Sequence, residues 1–313
     1  MKVSSPDKLL YPDDGITKAQ VVDHYATVAP ALFPWVEGRP VTVQRFPRGI
    51  SAPGFMQKNA ADHYPSTIER YTVPKREGGD TVYPVLTTPD DVVYLANQNT
   101  ITFHTWTATT ARPDQPDWFL LDLDPDEGAS PEDRVDAARR ATRLAGEVLR
   151  RFGLESMVVA TGSKGFHVRA RIEPGPSHDE VDLAGRAAAG LVAAADPELA
   201  TVEFLKRERG GRVFVDWLRN GPIATSVVPW SLRPRAGAPV AVPIAWDELD
   251  EVAPDAFTLA PGGLAPIADR LALDLPLPPP APLPVAELTA AAEAAGVDLA
   301  TTQDRFGRRS GRS

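Results

Sequence analysis

Hydrophobic and polar positions follow two different periods along this chain of 313 residues. Stretches that are apolar throughout or that alternate with polar positions predict β-strands, whereas apolar positions that recur every three or four residues predict helices. Predicted strands occupy residues 41–46, 100–106, 118–124, 156–160, 166–172 and 212–218, and predicted helices occupy 17–34, 88–97, 130–152 and 177–195. This mixture, which contains no internal repeat, predicts an α/β fold.

Three of the predicted helices carry boundary signals. Thr17 is placed to cap the first helix, which we expect to stop at Pro34. Ser130 precedes a proline and two acidic residues, a typical helix start. Ser177 and Glu180 fit a capping box.

The C-terminal part of the chain has a different composition. The segment LPLPPPAPLP at residues 275–284 contains six prolines and predicts an extended, polyproline-type strap. We expect the compact fold to end near residue 270, with one Ala-rich helix at 285–295 and a frayed end beyond it.

The composition excludes some classes of protein and restricts the ligands that a metal could have. The formal net charge of −9 excludes a strongly basic, histone-like protein. Residues 39–76 nevertheless hold seven basic and two acidic side chains, and residues 203–235 hold seven and three, which indicates either a local anion-binding face or a merely solvated surface. With no cysteine, any metal must bind oxygen or imidazole ligands. Because there is no secretory signal or membrane-spanning run, we expect a cytoplasmic protein.

The motif Asp122-Leu123-Asp124 ends an apolar predicted strand. Side chains alternate along a strand, so both carboxylates project from the same face, where a divalent cation would relieve their repulsion. The alternative is a strand that ends in a polar loop. Asp216 lies in a second apolar strand, where an uncompensated acid is costly. Three carboxylates from two adjacent strands would form a two-metal site for phosphoryl transfer.

A Gly-rich turn, Thr161-Gly162-Ser163-Lys164-Gly165, leads into Phe166-His167 between two predicted strands. Backbone N–H groups, a lysine and an imidazole together suit a triphosphate, although a plain β-hairpin turn is the alternative. Of the remaining histidines, His104 is expected to be structural on its strand, and the other three, His24, His63 and His178, are expected at the surface.

Taken in order, eight motifs resemble the archaeo-eukaryotic primase superfamily, and most closely the polymerase domain of bacterial ligase D and its stand-alone relatives. The motifs are SSPDKLLYP (4–12), TK (17–18), GRPVTVQRFPRG (38–49), FHTW (103–106), LDLDP (121–125), TGSKGFHV (161–168), VFVDWLRN (213–220) and VPWSLRPR (228–235). The resemblance implies a mixed-sheet primase-polymerase catalytic fold with flanking helices over residues 1–270, followed by the strap and tail at 271–313. Within it, residues 1–85 are expected to bind DNA and residues 86–240 to form the catalytic sheet.

The same resemblance implies the site residues. The catalytic and metal-binding set is Asp122, Asp124 and Asp216. The nucleotide-binding set is Ser163, Lys164, His167, His104 and Arg233. The DNA-binding set is Lys8, Lys18, Arg45, Phe55 and Lys58, with the two lysines Lys8 and Lys18 on a downstream 5′-phosphate. Gln44 and Met56 depart from the family pattern, which often has a basic and an aromatic residue there.

The implied activity is template-dependent nucleotidyl transfer that extends primer 3′ ends and fills gaps in non-homologous end joining. The implied cofactors are two divalent metal ions, with Mn²⁺ favoured and Mg²⁺ possible, and the substrate is an NTP or dNTP, with ribonucleotides often preferred. The expected partners are gapped or broken DNA with a 5′-phosphate, and a DNA ligase and a Ku-type end-binding protein in trans, in the bacterial nucleoid and at no membrane. The alternatives are a primase or gap-repair polymerase outside end joining, a metal-dependent phosphodiesterase and a non-catalytic DNA-end binding protein.

Overall fold

The computed structural model describes residues 2–75, 77–260, 264–273 and 275–300. The strands are β1 Leu9–Tyr11, β2 Ile16–Thr17, β3 Val41–Arg45, β4 Phe55–Gln57, β5 Glu69–Pro74, β6 Asp80–Val85, β7 Thr100–Thr105, β8 Trp118–Asp124, β9 Met157–Ala160, β10 Phe166–Arg171, β11 Ala200–Thr201, β12 Val213–Asp216, β13 Ser226–Val227 and β14 Val242–Ile244. The α-helices are α1 Lys18–Val36, α2 Pro89–Asn97, α3 Pro131–Arg151, α4 His178–Ala195, α5 Ala265–Leu271 and α6 Val285–Ala294. Short 3₁₀ helices lie at Lys206–Glu208, Leu218–Asn220 and Trp246–Glu248.

A six-stranded mixed sheet in the order β11-β12-β8-β10-β9-β14 forms the centre of the molecule. Its pairings are antiparallel except for β11 with β12. Helices α3 and α4 pack on one face of this sheet, where Phe119, Leu121 and Leu123 of β8 are buried in the same core. The alternation along β8 therefore directs Asp122 and Asp124 to the opposite face, as the sequence predicts. The α/β fold with a mixed sheet and flanking helices is confirmed.

A second sheet has four strands in the order β13-β7-β3-β4. Together with α1, α2 and the β5–β6 hairpin, it makes up the N-terminal part of the molecule. Strand β7 pairs with β3, although the sequence assigns it to the catalytic portion that starts near residue 86. Strand β14, at the far edge of the central sheet, lies beyond residue 240. The division at residues 85 and 240 is therefore not a boundary between the two sheets.

The local predictions are mostly met, and the exceptions have packing reasons. Helix α1 continues through Pro34 to Val36, because Trp35 and Val36 are buried in the core and this burial outweighs the cost of the proline. Strand β12 ends at Asp216, whose Oδ1 accepts a hydrogen bond from the backbone N–H of Leu218 (2.8 Å) and turns the chain into a 3₁₀ helix. Two histidines expected at the surface, His24 and His178, are buried instead.

Described parts of the chain beyond residue 270 pack on the core, contrary to the expectation that the compact fold ends there. Ala281 in the proline-rich strap bridges to Ile172 at the end of β10. Helix α6 then packs on α4, and its Leu288 is fully buried among the residues of the central core. The predicted fraying at residues 301–313 lies outside the described residues. In the described part of the chain, no helix is long and apolar enough to span a membrane.

Candidate active site

The three predicted carboxylates lie on the open face of the central sheet. Strands β8 and β12 pair so that Asp122 stands directly opposite Asp216, and Asp124 stands opposite Phe214. The side chain of Asp122 is 13% exposed and that of Asp216 only 8%, whereas Asp124 is half-buried. The long-range register thus brings together the acids that the sequence placed on separate strands.

Burial perturbs the acidity of these carboxyl groups. Removal from water, with the charge of Asp122 adding to it, raises the pKa of Asp124 to about 6 and that of Asp216 to about 6. Burial also raises the pKa of Asp122, against the opposing effect of nearby arginines. Across the described residues, the side chains as they stand do not gather three carboxylate or imidazole groups around a single metal position.

Two arginines that sequence reasoning missed face these acids. Arg219 Nε lies 3.4 Å from Asp216 Oδ2 and 3.8 Å from Asp122 Oδ2. Arg169 is buried and donates to Ser226 Oγ and to the Val227 carbonyl, at 3.0 and 2.7 Å. A sequence signal existed for both, because Arg219 follows Asp216 by three residues into a turn, and Arg169 shares a strand face with the histidine two residues before it.

The glycines of the 161–165 turn are required by close approach. Gly162 has a φ of +66°, and a Cβ on it would lie 2.8 Å from Cγ of Arg233. A Cβ on Gly165 would overlap the carbonyl oxygen of Leu123, so only glycine lets the turn lie against the end of β8 beside Asp124. The hydroxyl of Thr161 closes the turn by donating to the Gly165 carbonyl (2.7 Å).

The predicted nucleotide-binding residues lie around this turn. His167 stands opposite Asp122 in the β10–β8 register, with its Nε2 3.5 Å from Asp122 Oδ2. Arg233 donates to the Thr161 carbonyl at 3.0 Å. Lys164 forms an ion pair with Glu127, which also lies 3.3 Å from Lys206 Nζ. Ser163 is half-buried within the turn.

The two histidines near the carboxylates are neutral at neutral pH. Burial lowers the pKa of His104 to about 3, and the neighbouring Arg233 adds to this effect. Burial, followed by the charge of Arg169, lowers the pKa of His167 well below its ordinary value. Within the described residues, Nδ1 of His104 is buried and has no hydrogen-bond partner. The His104 ring is therefore available as a neutral donor or acceptor toward a ligand, whereas Nδ1 of His167 already lies 3.2 Å from Arg169 Nη2.

The predicted DNA-binding residues Lys8, Lys18 and Arg45 form a basic cluster near β4. Lys18 Nζ donates to Ser4 Oγ (2.6 Å), and Lys8 Nζ donates to the Pro47 carbonyl. Burial lowers the pKa of Lys18, with the like charges of Lys8 and Arg45 contributing.

The rest of the predicted DNA-binding set lies on and just after β4. The ring of Phe55 is 47% exposed, with Arg45 Cζ 5.7 Å from its centre, and Lys58 is exposed one residue beyond the strand. The structure thus brings together the basic and aromatic residues that the sequence predicts for DNA.

Comparison with known proteins agrees with this architecture. A solved structure, the polymerase domain of Mycobacterium tuberculosis ligase D in complex with DNA, matches with a TM-score of 0.77 and 32% identity, covering 88% of this chain and 95% of that one. The fold is that of the primase-polymerase class of nucleotidyltransferases. The model of the LigD primase-polymerase domain matches residues 17–269, and the chain belongs to this family.

Curated relatives include the multifunctional non-homologous end joining proteins LigD of Mycolicibacterium smegmatis and of Pseudomonas aeruginosa. The first is 34% identical over 252 residues and the second 33% identical over 253, in each case over 80% of this chain. The matched region covers 32% of the first protein and 29% of the second, so the chain spans about a third of the length of these relatives.

Proposed function

We propose that the protein adds nucleotides to the 3′ end of DNA under the direction of a template, filling gaps and extending broken ends during non-homologous end joining. The observation that carries the proposal is the opposition of Asp122 and Asp216 across β8 and β12, next to the turn that holds Lys164. Relatives named for end joining and a solved relative in complex with DNA support the pathway and the substrate class.

Two divalent cations, Mn²⁺ or Mg²⁺, fit the chemistry of the acidic cluster. Asp122, Asp124 and Asp216 offer hard oxygen donors. The raised pKa values of Asp124 and Asp216 reflect burial first and the charge of Asp122 second, and a bound cation would offset both effects. These three residues are the proposed ligands. When bound, such ions lower the pKa of an attacking hydroxyl and neutralise charge that develops on a phosphoryl group.

The reaction is the attack of a primer 3′-hydroxyl on the α-phosphate of an NTP or dNTP, which releases pyrophosphate. Lys164 and Arg233 bind the triphosphate, since both cations lie by the Gly-rich turn. Neutral His104 and His167 donate or accept hydrogen bonds without adding charge. Arg219, beside two of the acids, limits their mutual repulsion before substrate arrives. The protein chiefly positions the reacting groups.

DNA binds across the basic cluster in this proposal. Lys8 and Lys18 hold a downstream 5′-phosphate, because two ammonium groups near the start of α1 suit a terminal dianion. Arg45 and Lys58 contact backbone phosphates, and Phe55 stacks on a template base. A DNA ligase and a Ku-type end-binding protein in the bacterial nucleoid would supply the remaining steps of end joining.

Primer extension tests the proposal. The wild type is incubated with Mn²⁺ or Mg²⁺, with ribo- or deoxynucleotides, and with gapped or blunt DNA, beside Asp122→Ala/Asp124→Ala and the exposed-carboxylate control Asp136→Asn. We expect templated extension by the wild type and the control, and none by the double variant. Degradation of labelled DNA without nucleotide would identify a phosphodiesterase, and extension by the double variant would disprove the assignment of the carboxylates.

A further inference from the structure

The loop after Asp216 contains a turn with an unsuitable residue at its tip. The backbone N–H of Ala224 donates to the carbonyl of Gly221 (3.2 Å), and Ile223 has a φ of +56°. With Pro222 fixed at negative φ, this is a type II turn, which normally places glycine or asparagine at the third position. A β-branched residue in the left-handed region is a genuine outlier.

Nothing in the packing compensates for this strain, since Ile223 is 51% exposed. Buried groups hold the loop at both ends instead. Asn220 bonds to both backbone groups of Leu120, and Ser226 pairs with Thr105 in the β13–β7 ladder. An exposed apolar side chain is thus presented at a fixed position in a costly conformation, which points to a function for that side chain.

Ile223 lines a groove of about 440 Å³ between β4 and the β5–β6 hairpin. Met56, 46% exposed, contributes a second apolar side chain, and Tyr83 lies below, held by an edge-on contact with Trp106 at 5.1 Å. The exposed Lys58 and Lys75 line the same groove. Where the structure describes the chain, no acidic side chain lines it.

The combination of apolar side chains with lysines matches the chemistry of a single nucleic-acid strand, whose bases pack on apolar surfaces and whose phosphates attract cations. The groove adjoins β4, which carries Phe55. The loop that bears Ile223 connects Asp216 to β13, the strand that pairs with His104. The groove is therefore connected through β4 to Arg45 of the basic cluster and through the Ile223 loop to Asp216.

We propose that this groove holds an unpaired nucleotide of the template strand and that Ile223 packs against its base, keeping it apart from the next base in the stack. The proposal rests on the proposed function, because it takes the occupant of the groove to be template DNA. It adds a specificity-determining contact with the unpaired strand to the contacts with the 5′-phosphate.

The test uses Ile223→Gly and Ile223→Asn, two residues that tolerate the turn, with the exposed Leu273→Asn as a matched control. Thermal unfolding should show a Tm equal to that of the wild type or about 2–4 °C higher, because strain is relieved. Fluorescence anisotropy without nucleotide should show gapped DNA bound about three- to tenfold more weakly. Fully paired duplex should bind unchanged.

An abasic nucleotide moved along the template then locates the contact. At one abasic position the wild type should bind more weakly than it binds the intact template. The Ile223 variants should bind that template as tightly as they bind the intact one, so that the difference in affinity between wild type and variants disappears. Variants that bind gapped DNA as tightly as the wild type, an equal difference at every abasic position, or a loss on paired duplex would overturn the proposal. Each of these results would overturn this proposal while the wild type still extends a primer. If the wild type does not extend a primer, the proposed function itself is wrong.

Discussion

Replacing Asp124 with asparagine should stabilise the protein at neutral pH while ending nucleotide addition. Asp124 is half-buried, and the structure gives its side chain no hydrogen bond within the described residues. Its pKa is raised from the ordinary 3.8 to about 6, first by burial and second by the charge of Asp122. Asparagine keeps the shape and removes the charge, so the folded state no longer holds an ionised group that it solvates poorly.

The magnitude follows from the pKa difference. A carboxyl group whose folded pKa lies above its unfolded value destabilises the fold when ionised. The destabilisation is complete above pH 6 and is lost as the pH falls toward 3.8, the unfolded value. Converted at 1.36 kcal/mol per pKa unit, it amounts to about 3 kcal/mol at pH 7 and about 0.5 kcal/mol at pH 4. We therefore expect Asp124→Asn to raise Tm by about 5–8 °C at pH 7.

Calorimetry or circular dichroism from pH 4 to 8, in the presence of a chelator, measures this difference. The exposed Asp136→Asn serves as control and should change Tm little at any pH. Adding Mn²⁺ should raise the wild-type Tm more than that of Asp124→Asn, because the cation binds the native carboxylates. A variant that is less stable than the wild type at pH 7, or a gain that does not shrink toward pH 4, would show that the buried charge of Asp124 does not destabilise the fold.

Three further outcomes are expected. The double variant Lys8→Ala/Lys18→Ala should abolish any preference for a phosphorylated gap and reduce the salt dependence of binding by up to about 2 phosphate contacts. Extension of a simple primer-template should persist. A retained preference would contradict the 5′-phosphate assignment. Arg233→Lys should raise the KM for nucleotide more than the Kd for DNA, because the planar guanidinium fork is lost; equal effects would indicate a DNA site. Gly165→Ala should lower the unfolding free energy by about 1–3 kcal/mol. Gly221→Ala, whose Cβ would make only an ordinary contact of 3.5 Å with the Leu218 carbonyl oxygen, should not, as chemical denaturation would show.

Local interactions explain why many elements were predictable. The bounds of β8 agree with the predicted strand residue for residue, because an apolar run between turn residues leaves little alternative. The capping box at Ser177 and Glu180 forms as predicted and begins α4. The shared face of Asp122 and Asp124 also follows from strand periodicity alone. Each of these features depends on residues that are close in the chain.

Contacts between distant parts of the chain decided the rest. Nothing local specifies that Asp216 pairs with Asp122, because the register of two strands separated by about ninety residues depends on the packing of both faces. The same holds for Arg219 beside Asp122 and for the burial of His24.

Helix propensity and proline content could not foresee that α1 passes through Pro34 or that α6 returns to the core. Short-range patterns therefore specify many of the elements, the caps at Thr17, Ser130 and Ser177, and the direction of the first two carboxylates. The tertiary structure alone decided which elements meet, because burial energy is summed over contacts that no local pattern contains.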